Sequence, residues 1–458
     1  MNDAARQRGF YRSAWRWHFY AGLLVMPFLL VLALTGAVYL FHDEIEDAVH
    51  APLRFAPQRR ADLPLSRLLD AARAAYPGEV TRIDLPADPR RTAQVFVTPT
   101  RGEPLRVFVD PGSARVHGAF VYTRTLVGFA DTMHGSLLLG RFGDALVETA
   151  ACWALLLVAT GAYLWWPRGR GWRAALWPDW RARGRGFWRS LHASVGAWTA
   201  ALIVFLILTG LPWAGVWGEL LRAGLQPLGL GYPAEHRHHA AAAPRVGQAV
   251  GDAPWTLRDA PLPASHAHHG AGHGAGHDAS RGAAADIGID AAVRTLAAHG
   301  LRGDYRLSLP HGADGVYTAV VYPDRPQGQR TVHVDRYSGA VAGDTGFADY
   351  GLGAKAVELG VQLHMGRYFG RANQIVMLLP CLGIVALSVS GAWMWWKRRP
   401  RGRLGAPPAP APARLRTVAA IALACAIAFP LLGASLLLVA ALDRWVIARV
   451  PRWAAFLH

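Results

Sequence analysis

The chain has 458 residues and a formal net charge of +17, and 52% of its residues are hydrophobic. The hydrophobic residues are concentrated in long segments, which excludes an ordinary soluble protein. The positive charge is concentrated in short stretches beside those segments, and this distribution argues against nucleic-acid binding.

Five apolar segments are each close to the ~20 residues with which a helix crosses the hydrocarbon core of a bilayer. They lie at roughly residues 18–41, 145–166, 191–215, 372–396 and 416–441. The first is not a removable signal peptide, because it is too long and lacks a small-residue cleavage site. The sequence therefore predicts five transmembrane helices.

Basic residues cluster in the N-terminal stretch and in the loops after the second and fourth apolar segments. Alternate crossing places these stretches on one side, and an excess of Lys and Arg marks the cytoplasmic side. The residues are Arg6, Arg8, Arg12, Arg16, Arg168, Arg170, Arg173, Arg181, Arg183, Arg185, Arg189, Lys397, Arg398, Arg399, Arg401, Arg403, Arg414 and Arg416. We therefore expect a multi-pass protein of the inner (cytoplasmic) membrane with a cytoplasmic N-terminus, surrounded by the lipid bilayer.

This topology divides the chain into ten consecutive parts. They are the N-terminus with the first span (1–41), a first extracytoplasmic domain (42–133), the second span with a preceding histidine segment (134–166), a basic cytoplasmic loop (167–190), the third span (191–215), a second extracytoplasmic domain (216–363), the fourth span with its histidine segment (364–396), a cytoplasmic linker (397–415), the fifth span (416–441) and an extracytoplasmic tail (442–458).

The two extracytoplasmic regions have the same predicted elements, one helix followed by three short strands. In the first region these are Leu65–Tyr76, Val80–Leu85, Ala93–Thr98 and Leu105–Val109, and in the second Ile289–Ala298, Tyr305–Leu309, Val316–Tyr322 and Thr331–Val334. Each third strand runs into a turn, VDPGSARVHG or VDRYSGAVAG. The stretch 233–285 is extra in the second region and rich in Ala, Gly, Pro and His, so we expect it to be disordered.

The chain contains one helix–domain–helix unit twice. At an offset of 174 residues, His18 aligns with His192 and Thr35-Gly36 aligns with Thr209-Gly210. At an offset of 230, His134 aligns with His364, Thr160-Gly161 with Ser390-Gly391, and Trp165-Trp166 with Trp395-Trp396. The fold class is therefore a membrane α-helical bundle of five spans, built on a duplicated unit, with two small α+β extracytoplasmic domains.

The four duplicated histidines suggest two haem b sites. Equivalent helix ends place His18 and His192 at one depth, and His134 and His364 at another near the opposite surface. A bis-histidine haem needs an imidazole on each face of the iron, and facing helices of a bundle can supply both. Candidate partners for the haem propionates are Arg16, Arg189, Arg141 and Arg371, because guanidinium pairs well with carboxylate.

Other features have simpler interpretations. The Trp pairs are interfacial anchors, and the Thr/Ser-Gly motifs allow close helix approach. Cys152, Cys381 and Cys425 are buried small hydrophobes. His42 has no symmetric partner, yet it could replace a proposed ligand. The insert is a weak metal buffer or a tolerated low-complexity stretch, with His236, His238, His239, His266, His268, His269, His273 and His277.

These motifs resemble the PepSY-associated transmembrane family, also called iron-regulated membrane proteins, over about residues 10–400. The motifs are WRWHFYAG with LTG, LWWPR, FWRSLHASVG with LTG, QLHMGRYFG and SGAWMWWKRRP. The resemblance implies two PepSY-like periplasmic domains, two haems, and oxidoreductase activity that reduces ferric siderophores in the periplasm. The insert and the fifth span are not part of the family pattern, so the substrate, a siderophore or another metal complex, stays open.

Our hypothesis is a di-haem b electron-transfer protein that reduces a ferric complex on the periplasmic side. No GxGxxG, P-loop, HExxH or GxSxG motif is present, so we expect a quinol or another redox protein as electron donor. The alternative is a haem-free, membrane-anchored PepSY binding or regulatory protein with a metal-buffering loop. A metal transporter is a weaker alternative, because the middles of the spans lack acidic residues.

Overall fold

The computed structural model describes residues 3–57, 62–167, 171–233, 245–250, 253–265, 285–406 and 423–457. The chain forms two compact units. The helical unit comprises Met1–Phe41, Ala130–Arg222 and Leu363–His458, and the α+β unit comprises His42–Phe129 and Ala223–Gln362.

The described α-helices, numbered in chain order, are α1 (Asp3–Leu40), α2 (His42–Val49), α3 (Ala51–Arg54), α4 (Leu65–Ala75), α5 (Leu126–Ser136), α6 (Gly140–Trp165), α7 (Trp172–Leu176), α8 (Arg185–Gly210), α9 (Gly215–Leu225), α10 (Val246–Val250), α11 (Ile289–Ala298), α12 (Leu352–His364), α13 (Arg371–Arg398), α14 (Pro430–Trp445) and α15 (Pro451–Leu457). The strands are β1 (Glu79–Leu85), β2 (Ala93–Thr98), β3 (Leu105–Val109), β4 (Val116–Phe120), β5 (Tyr305–Ser308), β6 (Val316–Val321), β7 (Arg330–Asp335) and β8 (Val341–Gly346).

Four helices of the helical unit are long and apolar enough to cross a membrane. The candidate spans are Phe10–Leu40, Gly140–Trp165, Arg185–Trp213 and Arg371–Arg398. The helix α1 packs against α6 and α13, and α8 packs against the same two helices. The first four predicted spans are therefore helices of sufficient length and composition, and they form a four-helix arrangement.

The fifth predicted span, 416–441, lies partly outside the described residues. Its described part contains a helical stretch at 423–428 and the beginning of α14, which is shorter than the other four helices. The indole of Trp153 on α6 donates a hydrogen bond to Ser435 on α14 (2.9 Å). This contact attaches α14 to the bundle, and a fifth crossing stays a prediction.

The strands of both extracytoplasmic regions form one antiparallel sheet in the order β4-β3-β2-β1-β5-β6-β7-β8. The two halves join where β1 pairs with β5, with Ile83 opposite Leu307. This arrangement differs from the two separate domains expected from the sequence. Separate halves would each expose an edge strand with unpaired backbone groups, and the β1–β5 pairing removes both edges.

The predicted third strand of each half is followed by a fourth that the sequence did not indicate. The strands β4 and β8 lie in the segments that we predicted only as turns, and they pair with β3 and β7. Each pairing contains a β-bulge, after Phe108 and after His333. The bulges and the glycines of VHGAF and VAGDTG interrupt the alternation by which strands are recognised.

One hydrophobic core lies between the sheet and the helices α4 and α11. On α4 the buried residues Leu65, Leu68, Leu69 and Ala72 follow the helical period. Residues of both halves belong to the same core cluster. Ser66 at the start of α4 donates a hydrogen bond from its hydroxyl to Asp290 of α11 (2.5 Å). The two helices are thus tied together across the repeat.

Part of the stretch 233–285, which we expected to be disordered, is ordered. Its described residues include α10 and a short 3-10 turn at Trp255–Leu257. Trp255 and Leu257 are each only 1% exposed. The prediction was wrong for residues 245–250 and 253–265, because large apolar side chains there contribute buried surface that compositional bias conceals.

A buried carboxylate holds this ordered segment in the α+β unit. Glu358 of α12 has no exposed surface. It accepts hydrogen bonds from the backbone N–H and the hydroxyl of Thr256 (both 2.9 Å) and from the side-chain amide of Gln329 (3.0 Å). Burial raises the pKa of Glu358 above its ordinary value of 4.5, and the three hydrogen bonds oppose that shift.

We expect Glu358→Ala to destabilise the protein by about 3 kcal/mol, because it leaves buried donors of Thr256 and Gln329 without an acceptor. Glu358→Gln should be far milder. The Oε1 atom of Gln329 has no hydrogen bond among the described residues, so its amide can turn to accept from the new amide. Thermal unfolding of the detergent-solubilised protein measures both changes.

The pH dependence gives a second comparison. A carboxyl whose pKa is higher in the folded than in the unfolded protein stabilises most below the unfolded value and less as the pH rises through the folded value. The wild type should therefore lose stability relative to Glu358→Gln as the pH rises above about 4.5. Equal pH dependence in the two proteins would contradict this role of Glu358.

Candidate functional site

The structure brings the four duplicated histidines together as two facing pairs. In the first pair, His18 of α1 faces His192 of α8 with ring centres 6.4 Å apart and ring planes at 89°. In the second pair, His134 of α5 faces His364 of α12, with ring centres 6.4 Å apart and planes at 73°. All four side chains are partly buried within the helical unit. Each imidazole thus meets the partner that the duplication assigns to it.

The two pairs lie far apart along the bundle. Thr35 contacts His134 of the second pair and follows His18 of the first pair by seventeen residues on the same helix. Thr209 and His192 have the same spacing on α8. At about 1.5 Å per residue, this separation is roughly 25 Å along the helix axis. The hydrocarbon core of a bilayer is about 30 Å thick, so the pairs are suited to opposite halves of the membrane.

Every ring is held by a hydroxyl group of a neighbouring helix. The Nδ1 atom of His18 lies 3.0 Å from Thr160 Oγ1, and that of His192 lies 2.9 Å from Ser390 Oγ. In the second pair, Nδ1 of His134 lies 3.2 Å from Thr35 Oγ1, and Nδ1 of His364 lies 3.1 Å from Thr209 Oγ1. The hydroxyls belong to the four Thr/Ser-Gly motifs. The sequence indicated only close approach at these motifs, and their hydroxyls are the functional groups that it missed.

The glycine after each hydroxyl residue lies against the same imidazole. A Cβ atom placed on Gly36, Gly161 or Gly210 would lie 3.1 Å from the Cε1 atom of His134, His18 or His364, respectively. At Gly391 the corresponding distance to His192 is 3.7 Å, an ordinary contact. The close approach that these glycines permit is therefore between a helix and a histidine ring.

Each pair offers two nitrogen donors. In the part of the chain that the structure describes, no group of three or more His, Cys, Asp or Glu side chains is placed to hold a metal ion. Structural zinc takes four protein ligands, and catalytic zinc takes three. A haem iron takes its equatorial nitrogens from the porphyrin and needs only axial ligands from the protein. The two nitrogen donors of each pair therefore fit a haem iron better than a zinc ion.

Of the four candidate propionate partners, Arg141, Arg189 and Arg371 lie near the beginnings of α6, α8 and α13, and Arg16 lies inside α1. Arg16 precedes His18 by two residues, and its guanidinium lies over the ring of Tyr20 (5.1 Å). Arg189, Arg141 and Arg371 are exposed. Arg371 also donates a hydrogen bond to Gln374 (3.3 Å). These positions leave a propionate role as a prediction.

Arg398 is a further basic residue near the first pair that the histidine pattern did not single out. Its guanidinium lies 5.2 Å from the ring centre of Trp15 and 5.1 Å from that of Phe19, the residue next to His18. It also donates a hydrogen bond to the carbonyl of Gly405 (2.6 Å). Arg398 is therefore a further candidate partner for an anion, half-buried against Phe19.

The remaining histidine candidates are outside the pairs. His42 lies in α2 and contacts the carboxylate of its neighbour Asp43 at 3.3 Å. The ring of His134 faces His364, and an alternative role of His42 as a ligand stays a prediction. The eight histidines of the insert, between His236 and His277, lie outside the described residues.

The tryptophan pairs and the cysteines lie outside the histidine pairs, and the interfacial role of the tryptophans stays a prediction. The indole of Trp165 donates a hydrogen bond to the carbonyl of Ala175 (2.8 Å), and that of Trp395 donates to Leu404 (2.9 Å). These bonds attach the helix ends to the loops that follow. Cys152 and Cys381 are buried, and Cys425 is partly buried.

Comparison with known proteins agrees with this architecture. The family model described as the PepSY-associated TM region matches residues 15–398. That range contains all four histidines and all four hydroxyl residues. No curated protein matches the chain significantly. The match covers most of the sequence, and the resemblance predicted from the motifs is confirmed: the chain is a multi-pass membrane protein that belongs to the PepSY-associated TM region family.

Proposed function

We propose that this protein carries two bis-histidine b-type haems and transfers electrons across the inner membrane to a ferric complex on the periplasmic side. The observation that carries the proposal is the facing of two imidazole pairs at the same ring spacing of 6.4 Å. His18 and His192 would hold one haem, and His134 and His364 the other.

The spacing agrees with one metal atom between each pair of rings. A bond from imidazole nitrogen to a transition metal is about 2 Å long, and with the distance from each nitrogen to its ring centre, two such bonds in line separate the ring centres by roughly 6 Å. Imidazoles in direct van der Waals stacking would be closer, and unrelated helix-end histidines would have no reason to share one distance twice.

The separation of the pairs suits charge movement through lipid. Haem supplies an iron that changes its oxidation state without leaving the protein. In this proposal one histidine pair lies towards each membrane surface, and the two pairs are roughly 25 Å apart along the helices.

Charge distribution supports an orientation with the first pair towards the cytoplasm. The basic N-terminal stretch and the basic loop before α8 adjoin the helix ends that carry His18 and His192. The α+β unit would then lie in the periplasm. The resemblance to haem-containing reductases motivates a ferric siderophore or another ferric chelate as electron acceptor, with a quinol or a redox protein as donor.

Purified protein should show a b-type absorption spectrum that dithionite changes, with about two haems per chain. His18→Ala and His192→Ala should each remove the same haem, because each leaves one axial ligand where two are needed. His134→Ala and His364→Ala should each remove the other haem. Haem extraction and quantification against protein concentration give the ratio.

His42→Ala is the matched control, because it removes a histidine that lies next to the end of α1 and contacts the carboxylate of Asp43. It should retain both haems. Colourless protein from cells with an adequate haem supply would reject the proposal and favour a haem-free binding or regulatory protein. Full haem content in all four ligand variants would reject the assignment of the ligands.

The glycines give an independent test of the ring positions. Gly161→Ala should reduce occupancy of the haem held by the first pair, because the added methyl group would lie 3.1 Å from His18 Cε1 and push the ring aside. Gly391→Ala should leave the same haem in place, since its methyl group has 3.7 Å of room. Both changes favour a helix by up to about 1 kcal/mol, so helix destabilisation cannot explain a loss. Equal haem content in the two variants would contradict the ring placement.

A further inference from the structure

We propose that Thr35, Thr160, Thr209 and Ser390 are positioning residues that fix the protonation of the histidine ligands and tune the haem potentials. This inference rests on the proposed haem function and goes beyond it, because it assigns a role to residues that do not touch the iron. The inference depends on which atom accepts the proton of each hydroxyl group.

Each hydroxyl uses its only proton within its own helix. Thr35 donates to the carbonyl of Val31 and Thr160 to that of Leu156, both at 2.7 Å. Thr209 donates to Phe205 (2.7 Å), and Ser390 donates to Ala386 (2.6 Å). Such bonds to the carbonyl four residues earlier are usual for Ser and Thr inside helices. The hydroxyl can therefore only accept a hydrogen bond from the imidazole.

Backbone carbonyl groups near the rings independently indicate that the imidazole is the donor. The carbonyl oxygen of Leu32 lies 3.0 Å from Nδ1 of His134. The backbones of Leu157, Leu387 and Leu206 hydrogen-bond to His18, His192 and His364 in the same way. Each of these leucines precedes the corresponding hydroxyl residue by three positions. Since a carbonyl has no proton to donate, Nδ1 of His134 must carry the hydrogen. The equivalent hydroxyl contacts of Nδ1 and backbone contacts of the other three rings point to the same tautomer.

The position of that proton determines which nitrogen can bind a metal. A neutral imidazole has one N–H and one nitrogen with a free lone pair. With the proton on Nδ1 and shared between a hydroxyl and a carbonyl, Nε2 has the lone pair in all four rings. The same contacts fix the rotation of each ring, and the adjoining glycine leaves space for it. Contacts within the bundle thus set both the tautomer and the orientation of each ligand ring.

We call the four hydroxyl residues Thr35, Thr160, Thr209 and Ser390 the holders of the rings. A helix that supplies a ligand to one pair can supply a holder to the other pair. The helix α1 supplies the ligand His18 to the first pair and the holder Thr35 to the second. The helix α8 likewise supplies His192 to the first pair and Thr209 to the second. The holders of the first pair, Thr160 and Ser390, come from α6 and α13. A change at one holder should therefore affect one haem and leave the other unaltered.

The direction of the effect follows from ligand basicity. A hydrogen bond donated by the distal ring N–H makes a ligating imidazole more electron-donating. Greater electron donation stabilises ferric over ferrous iron and lowers the midpoint potential. Removing the acceptor oxygen should raise the potential of the haem concerned. Loss of an outer-sphere partner of this kind typically weakens metal binding or activity by roughly 10–100-fold.

The test compares Thr160→Val with Thr160→Ser by optical redox titration of the full-length protein in detergent. Valine keeps the shape of threonine but removes the hydroxyl, and serine keeps the hydroxyl but removes the methyl group. We expect valine to shift one midpoint potential upward, that of the haem lost in His18→Ala, and serine to leave both potentials unchanged. Ser390→Ala and Ser390→Thr form the same comparison on the other ligand of the pair.

Every result of the comparison between the Thr160 variants either supports or overturns the proposal. If Thr160→Val loses the haem while Thr160→Ser retains it, the hydroxyl is needed to hold the ligand and the proposal stands. Wild-type potentials and full haem content in Thr160→Val would overturn it. Equal shifts or equal losses with valine and serine would also overturn it, because the methyl group would then matter and the acceptor would not. Wild-type protein without haem would instead reject the function proposed above.

Discussion

The helical unit depends on one repeated contact, an imidazole N–H held by a Thr or Ser hydroxyl of an adjacent helix. Polar side chains inside a lipid-exposed bundle are costly unless they have partners. Here each ring N–H has two acceptors, a hydroxyl and a carbonyl, supplied by residues three positions apart on one helix. The helix–histidine contact occurs four times, between α6 and His18, α13 and His192, α1 and His134, and α8 and His364. The positions of the helices and of the histidines are therefore set by the same contacts.

The pairing of β1 with β5 explains why the α+β unit is one body. A four-stranded half with a single helix exposes an edge strand on each side. Joining β1 to β5 places these two strands at the centre of an eight-stranded sheet, where the side chains of Ile83 and Leu307 are fully buried in one shared core. The two halves therefore stabilise each other in the sheet, just as the two halves of the helical unit each supply one imidazole to each pair.

The sequence predicted those features that the duplication makes visible. The alignment of His18 with His192 and of His134 with His364 identified both pairs, and apolar length identified four helices. It did not show the hydroxyl contacts, because a Thr-Gly motif in a helix has the same pattern whether it approaches a helix or a ring. It missed β4 and β8, whose bulges and glycines break the alternation. It also missed the order of residues 245–250 and 253–265, where the burial of Trp255 depends on tertiary packing that composition cannot reveal.

The two pairs are alike in ring spacing but differ in the space beside their rings. Three of the four holders are threonines followed by glycine, and a Cβ atom placed on each of these glycines would lie 3.1 Å from Cε1 of the neighbouring ring. At Gly391, which follows Ser390, the same distance to His192 is 3.7 Å. Serine has more rotational freedom than the β-branched threonine. Ser390 nevertheless makes the shortest of the four hydroxyl contacts, 2.9 Å to Nδ1 of His192, so the extra space lies at Cε1 of that ring and not at its hydrogen bond. The two rings of the first pair therefore have unequal surroundings, whereas those of the second pair have closely similar ones.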